Sequence, residues 1–390
     1  MASSRQSSNR SFGSGIAIGA LVGLAVAALL STLGLLDRGP QDPVEQARSV
    51  IERNYFEEVS GEALDEASIE GMVRELRRDH GDRFSHYFTP DELRDFEAAT
   101  SGRFSGVGMT VAEVNRGLRV ASVIPDAPAE RAGIGEGDVI LSVDGEELAG
   151  VPADVAAARI KGPPGTEVEL EVASRGRTEP RELTIERESV RLPAVQGELR
   201  RAGGVPVAYV RLVTFSSGAH GELREEVERL DREGAEGLVL DLRNNGGGLL
   251  NEAVLSASVF VDEGPIVSTR SRTRGERTYD AAGDALEPRP TVVLTNGDTA
   301  SAAEILTAAL AEYDLATVVG RRTFGKGSFQ EVIELEDGGA LDLTIGEYVT
   351  AEGVSLAGEG FPPDVRASDD PQTEPDEALR DALRILAQEL

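Results

Sequence analysis

Lys and Arg together number 39 in this chain, yet only two are lysines, Lys161 and Lys326. Lys326 sits inside the run Thr323-Phe324-Gly325-Lys326-Gly327-Ser328-Phe329-Gln330. Arginine keeps its charge at any workable pH, whereas a desolvated lysine ammonium can lose its proton and become a base. A site that needs a neutral amine cannot exchange Lys for Arg, so Lys326 is the first candidate for chemistry. The plainer reading is a surface lysine beside a glycine turn. An ordinary lysine, with a pKa near 10.4, leaves roughly one molecule in 2,500 deprotonated at pH 7. Bringing that pKa close to neutrality takes on the order of 4–5 kcal/mol, which burial can supply. Phe324 and Phe329 flank Lys326 as candidate dry walls. Gln330 offers an uncharged amide that can orient the amine without stabilising its ammonium form. In a straight strand, positions four apart lie about 13 Å from each other, so the Gly-Lys-Gly turn must bring the two side chains together.

A base of this kind needs a nucleophile. The run Thr295-Asn296-Gly297-Asp298-Thr299-Ala300-Ser301-Ala302-Ala303-Glu304 follows an apolar strand and opens a helix, which puts Ser301 at or near the N-cap. Serine is a preferred cap, so a purely structural role is one reading. The other is attack by the Ser301 hydroxyl, with the adjacent Ala302 N–H at the helix N-terminus holding an oxyanion. No histidine lies in a motif near these segments, which leaves a neutral lysine as the local base. A further segment, Asp241-Leu242-Arg243-Asn244-Asn245-Gly246-Gly247-Gly248, also follows a strand, and its glycines let backbone N–H groups approach developing negative charge. A phosphate cradle is the rival. The run lacks the Lys-Ser/Thr ending of a P-loop and does not match the dinucleotide order. All three segments follow predicted strands, where α/β folds place their sites.

The elements that position these runs fall into four stretches. Residues 15–36 are 22 residues without a charge, long enough to cross a bilayer. Arg5 and Arg10 precede them, which keeps residues 1–14 cytoplasmic and the rest of the chain outside. A cleaved signal peptide is the alternative, but the apolar stretch is long for one and no small-x-small site follows. Residues 37–98 read as a helical segment, with apolar positions at i, i+3, i+4 spacing and a helix start at Thr89-Pro90-Asp91-Glu92. Residues 99–188 change to short glycine-flanked strands with helices at 127–132 and 152–160. Residues 189–390 alternate apolar strands (207–212, 237–242, 291–295, 316–319, 340–350) with helices (221–232, 251–261, 301–313, 377–390), an α/β pattern.

Composition narrows the function. A formal net charge of −30 argues against nucleic acid, since nothing here neutralises a run of phosphates. With no cysteine and three scattered histidines (His80, His86, His220), neither a thiolate nor a histidine metal site is expected. No metal or other cofactor is implied.

The 99–188 stretch resembles a PDZ domain. The resemblance rests on Ser105-Gly106-Val107-Gly108-Met109, on Ala127-Pro128-Ala129-Glu130-Arg131-Ala132-Gly133-Ile134 and on Gly137-Asp138-Val139-Ile140-Leu141-Ser142-Val143-Asp144-Gly145. It implies that Gly106, Val107, Gly108 and Met109 border a groove for a peptide C-terminus, captured by an open strand edge and backbone N–H groups. With the three glycine-punctuated segments in order, the chain resembles the carboxyl-terminal processing (tail-specific) proteases. Asp82-Arg83-Phe84-Ser85-His86-Tyr87-Phe88-Thr89-Pro90 and Gly358-Glu359-Gly360-Phe361-Pro362-Pro363-Asp364-Val365 extend the likeness. It implies a multidomain α/β chain: an N-terminal transmembrane helix, a helical segment, an inserted β-rich PDZ domain and a catalytic core of the crotonase and Clp-protease kind. It also implies Ser301 as nucleophile, Lys326 as general base, Gln330 orienting that lysine, and an oxyanion hole from Ala302 and Gly247. The family often has Pro where Gly246 stands, so the choice among these glycines stays open. Lys161 stands where the family tends to carry a cation, and an ordinary surface role is the alternative. Protein substrates with accessible C-terminal tails are then the expected partners, at the outer face of a cell membrane. The helical ends (44–98 and 377–390) could serve a homo-oligomer or a regulatory protein, or pack within the chain. An inactive PDZ scaffold and an acyl-CoA enzyme with a similar core are the competing readings.

Overall fold

The computed structural model describes residues 42–174, 179–367 and 376–390. The apolar run 15–36 lies outside them, and among the described residues no helix is long and apolar enough to cross a membrane. Helices α1 (Pro43–Asn54) and α2 (Gly61–His80) belong to one compact unit, tied by Arg48 to Asp65. The Asp42 carboxylate caps α1 by accepting the Val44 N–H at 2.9 Å, and Gly81, at φ 67°, ends α2 in the left-handed region. Within α1 and α2 only Val73 is buried.

The second unit begins at Asp82. Its first strand, β1 (His86–Phe88), corrects the expectation that residues 37–98 are helical throughout. Three aromatic rings in succession suit a pleated edge, and β1 pairs antiparallel with a later strand rather than continuing a helix. Helix α3 (Pro90–Thr100) starts as expected, with Thr89 and Glu92 in a capping box.

A two-stranded ribbon, β2 (Arg103–Gly106) and a strand at 188–191, frames the next module. Inside it lie β3 (Met109–Val114), β4 (Gly117–Val123), α4 (Pro128–Arg131), β5 (Val139–Val143), β6 (Glu146–Glu147), α5 (Ala153–Ile160), β7 (Glu167–Ala173) and β8 (Arg181–Glu186). The ribbon partner is β9 (Glu188–Arg191). The sheet order β3-β4-β5-β7-β8 leaves β3 at an edge. The module has its own core, including Leu118, Ile140, Val168 and Leu170.

The core domain follows: β10 (Val195–Ala202), β11 (Val205–Leu212), α6 (Ala219–Arg232), β12 (Gly237–Asp241), α7 (Leu250–Ser258), β13 (Pro265–Ser271), β14 (Gly275–Asp280), β15 (Thr291–Thr295), α8 (Ala302–Glu312), β16 (Thr317–Gly320), β17 (Ser328–Glu334), β18 (Ala340–Thr350), β19 (Val365–Arg366) and α9 (Glu377–Glu389). One sheet runs β10-β11-β12-β15-β16-β19, parallel from β11 onward. Strands β12 and β15 are buried at every position, the pattern of parallel strands covered on both faces. Leu238, Leu240 and Val293 face α6, α7 and α8, while Val239, Val292 and Leu294 face α9 through Ala378, Ala382 and Leu386. The C-terminal helix therefore packs within the chain. A second sheet, β1-β18-β13-β14 with β17 also on β18, stands beside it.

A buried polar cluster fixes the end of β12, where the first glycine segment begins. Asp241 accepts from the Tyr209 hydroxyl at 2.6 Å and from Arg243 at 2.6 Å. Arg243 reaches on to the Asp376 carboxylate in paired bonds of 2.9 and 2.8 Å, linking the loop to the start of α9. Removing one member of such a cluster leaves an uncompensated buried charge. Arg243→Ala is expected to cost about 3–5 kcal/mol, read as a lowered urea midpoint. An unchanged midpoint would show that the cluster does not support the fold.

Candidate active site

Ser301 immediately precedes α8 and is nearly buried. Its backbone, at φ 56° and ψ −118°, is not that of an ordinary cap, which stays in the β region as Thr89 does. A non-glycine residue held there costs on the order of 1–3 kcal/mol and persists only where its surroundings impose it. The strain presents Ser301 at the head of the helix beside the Ala302 N–H, a first-turn donor with no acceptor inside the helix.

Glu304, which sequence reasoning left unassigned, is the side chain that imposes it. This carboxylate is fully buried. It accepts the Ser301 N–H at 2.8 Å, the Thr323 hydroxyl at 2.5 Å, the Gly325 N–H at 2.8 Å and the Lys326 N–H at 3.0 Å. One anion thus ties the backbones of the candidate nucleophile and the candidate base. The Ser-x-x-Glu spacing of a capping box was the available signal, though it does not announce the second pair of bonds.

The glycine loop after β12 lies against the same serine. A Cβ at Gly247, whose φ is +101°, would stand 2.8 Å from the Ser301 Cβ and 3.0 Å from the Ala302 nitrogen, so the loop can pass this near only as glycine. Ala300 N–H donates to the Asn245 carbonyl at 2.9 Å and Phe324 N–H to the Thr299 carbonyl at 2.9 Å, which knits the three glycine-punctuated runs together. The Gly247 N–H itself is engaged by the Asn245 side chain at 2.9 Å. An oxyanion donor from this loop therefore requires release of that bond or a neighbouring glycine.

Lys326 is partly buried, and burial lowers its pKa below the ordinary 10.5, opposed by the charges of Asp342 and Glu304. Its ammonium lies 5.1 Å from the centre of the Phe84 ring. It makes no hydrogen bond or ion pair with a described residue. The aromatic wall expected from Phe324 is supplied instead by Phe84, from the loop before β1; Phe324 is 45% exposed. The Phe329 ring lies 5.4 Å, centre to centre, from that of the buried Tyr348. Burial drives the Tyr348 pKa well above its ordinary value, keeping the phenol neutral. A bulge between Phe329 and Gln330 re-aims the latter side chain. Its amide donates to Thr344 at 3.1 Å and Ser328 at 3.3 Å, not to Lys326. Thr344 in turn bonds Asp82 at 3.1 Å.

In the β-rich module, Val107 and Gly108 use their carbonyls to accept the Ala129 N–H at 2.8 Å and the Ile124 N–H at 2.9 Å. Gly108, at φ +81°, turns the chain so that β3 starts at Met109 with an open edge beside α5. That edge is available to an added strand.

A strained serine at a helix head, a glycine loop against it, a half-desolvated lysine and a module with an open strand edge are parts that a serine peptidase would use. Residues 206–367 match peptidase family S41 and residues 98–173 match the PDZ domain. A carboxyl-terminal-processing protease of Synechocystis is 37% identical over 76% of this chain and 69% of that protein. A CtpA-like serine protease of Staphylococcus aureus is 34% identical over 86% of this chain, which spans 66% of that relative's length. A solved photosystem II D1 C-terminal processing protease superposes with a TM-score of 0.51 at 30% identity, covering 88% of this chain and 96% of that one. The chain belongs to peptidase family S41, the carboxyl-terminal processing proteases, and carries their PDZ domain.

Because the Glu304 bonds are buried, its loss strands polar donors without water. Glu304→Ala is expected to destabilise the core by about 2–4 kcal/mol, measured by urea unfolding. A loss under about 0.5 kcal/mol would mean that water replaces the carboxylate at no cost.

Proposed function

We propose that this chain is a serine endopeptidase of the Ser–Lys type, held at the outer face of a cell membrane by residues 15–36, that cuts proteins engaged by their C-terminal tails. The observation that carries this reading is Glu304, one buried carboxylate holding the backbones of both Ser301 and Lys326. A decayed scaffold would have little reason to keep a strained serine and a half-desolvated lysine on one anchor.

In this mechanism the tail adds along β3, with its end near Gly106, Val107, Gly108 and Met109. The scissile carbonyl then lies over Ser301. Lys326 swings off Phe84, a rotamer change on the picosecond-to-nanosecond scale, and takes the Ser301 proton as the oxygen attacks the carbonyl carbon. The oxyanion is held by the Ala302 N–H and an N–H of the glycine loop, with Gly247 donating once Asn245 lets go. Breakdown of the tetrahedral species breaks the C–N bond, and the Lys326 ammonium protonates the departing amine. Water, deprotonated by the same amine, attacks the ester and frees the acid and Ser301. Gln330 acts through Thr344 and Ser328 as a support for β17 and turns to Lys326 only when the lysine leaves Phe84.

Ser301→Ala and Lys326→Arg are each expected to abolish cleavage of an unfolded protein with an apolar tail, while circular dichroism stays native. A serine-reactive fluorophosphonate should label the parent chain and not Ser301→Ala. Labelling that survives the substitution, or near-native turnover by either variant, would remove that residue from the mechanism.

The neutral amine is the active form, and its folded pKa lies below 10.5. The cost of burying the ammonium is present below the folded pKa and disappears above the unfolded one, so stability rises with pH across that window, while kcat/KM rises through the folded pKa and levels off above it. The expected pH profile climbs on its acidic limb with a midpoint below that of an exposed lysine. A midpoint at about 10.5 would show that burial does not activate this amine.

A further inference from the structure

Asp342 and His86 stand directly opposite each other across the β1–β18 pair. Asp342 is only 9% exposed, yet its carboxylate accepts no hydrogen bond from a described residue. The His86 Nδ1 is 3.8 Å away, and that nitrogen sits 3.0 Å from the Phe84 carbonyl. A neutral imidazole bonded to that carbonyl has no proton on Nδ1 left for Asp342. Phe84 also supplies the ring beneath the Lys326 ammonium, 5.1 Å away. An underpaired carboxylate and an underpaired ammonium therefore share one corner of the site.

We infer that Asp342 is the counter-ion that holds the Lys326 ammonium over Phe84 and away from Ser301, a positioning residue that governs when the base is released. This rests on the reading of Lys326 as base. The other carboxylates facing this corner are already spent. Glu304 is occupied by its four donors, and Asp82 accepts from the Phe84 and Ser85 N–H groups and from the Ser85 and Thr344 hydroxyls. Asp342 alone among the three accepts no hydrogen bond from a described residue, so its charge is the least offset by local donors. Lys326 is faced by Asp342 from β18 and Glu304 from α8; Asp342 is faced by His86 from β1, by Lys326 and by Asp82. Burial raises the carboxyl pKa of Asp342 and lowers that of the amine, so each group depends on the other to stay ionised. A substrate that displaces water from this corner frees the lysine to reach Ser301.

The two-lysine composition makes a direct test simple. Protein labelled with [13Cε]lysine gives two titrating signals, and Lys161→Arg identifies the one from Lys326. Asp342→Asn is expected to lower the Lys326 midpoint by about one pH unit, and the acidic limb of kcat/KM by the same amount. Asp342→Glu should leave both near the parent values. Asp342→Ser serves as a second removal should the asparagine variant fail to fold. A Lys326 midpoint that stays put or rises on loss of the carboxylate overturns the inference. If the amine midpoint falls while the rate profile stays fixed, the counter-ion stands and the reading of Lys326 as base falls.

Discussion

One buried anion organises the centre of this molecule. Glu304 is fully buried, with no ammonium among the described residues bonded to it; its charge is met by two N–H groups and a hydroxyl from the lysine segment and by the N–H of Ser301. Hydrogen bonds to a charged group are worth roughly 1.5–3 kcal/mol each, so the set comfortably offsets the strain of a serine held at φ 56°. Its place in the first turn of α8 adds the favourable sign of the helix dipole. The consequence is geometric. The serine and the lysine, 25 positions apart by number (326 − 301), cannot drift independently, because both hang from the same carboxylate.

The remaining groups arrive from two sheets that serve different ends. The parallel sheet delivers the glycine loop after β12 and the serine after β15 at neighbouring strand ends, as open α/β sheets do. The antiparallel sheet delivers what surrounds the lysine. Strand β18 carries Asp342, Thr344 and Tyr348 along its length, and β1 brings Phe84 and His86 against it. Part of the lysine's environment is thus written more than 240 positions upstream of it (326 − 84 = 242), in a loop whose Asp82 and Ser85 also bond Thr344 of β18.

That division explains what could be read from the chain alone. Apolar runs and glycine punctuation located β15, β18 and α8 with their ends at or within one residue of those found, and the Thr89 cap marked α3 to the residue. Local patterns carry such information because each element buries a face with its own period. Ser301 and Lys326 were singled out from residue type and spacing, and the structure hangs both of their backbones on Glu304. Glu304 was half legible, since its capping-box bond is local while its bonds to Thr323, Gly325 and Lys326 are made across the fold. Phe84, Asp342 and Tyr348 were not legible from local pattern, because only the β1–β18 and β17–β18 registers bring Phe84 and Asp342 to the lysine's corner and Tyr348 against Phe329. Phe324 was misjudged for the same reason: a neighbour in sequence points to solvent, and a distant ring does its work.

At rest the Lys326 ammonium lies over Phe84 and is hydrogen-bonded to no described residue. A buried amine that met a serine permanently would have to lose its proton permanently, at a standing cost of several kcal/mol. In the proposed cycle, parking the ammonium over an aromatic face and near the charge of Asp342 avoids most of that cost between turnovers. If the parked state is favoured by about 2 kcal/mol, roughly 3% of molecules hold the lysine free at any moment. A bound chain that excludes water weakens the ammonium more than the neutral amine, so the same desolvation that seats a substrate shifts this equilibrium toward the base. Activity would then follow occupancy of the site, with no separate part needed to switch it.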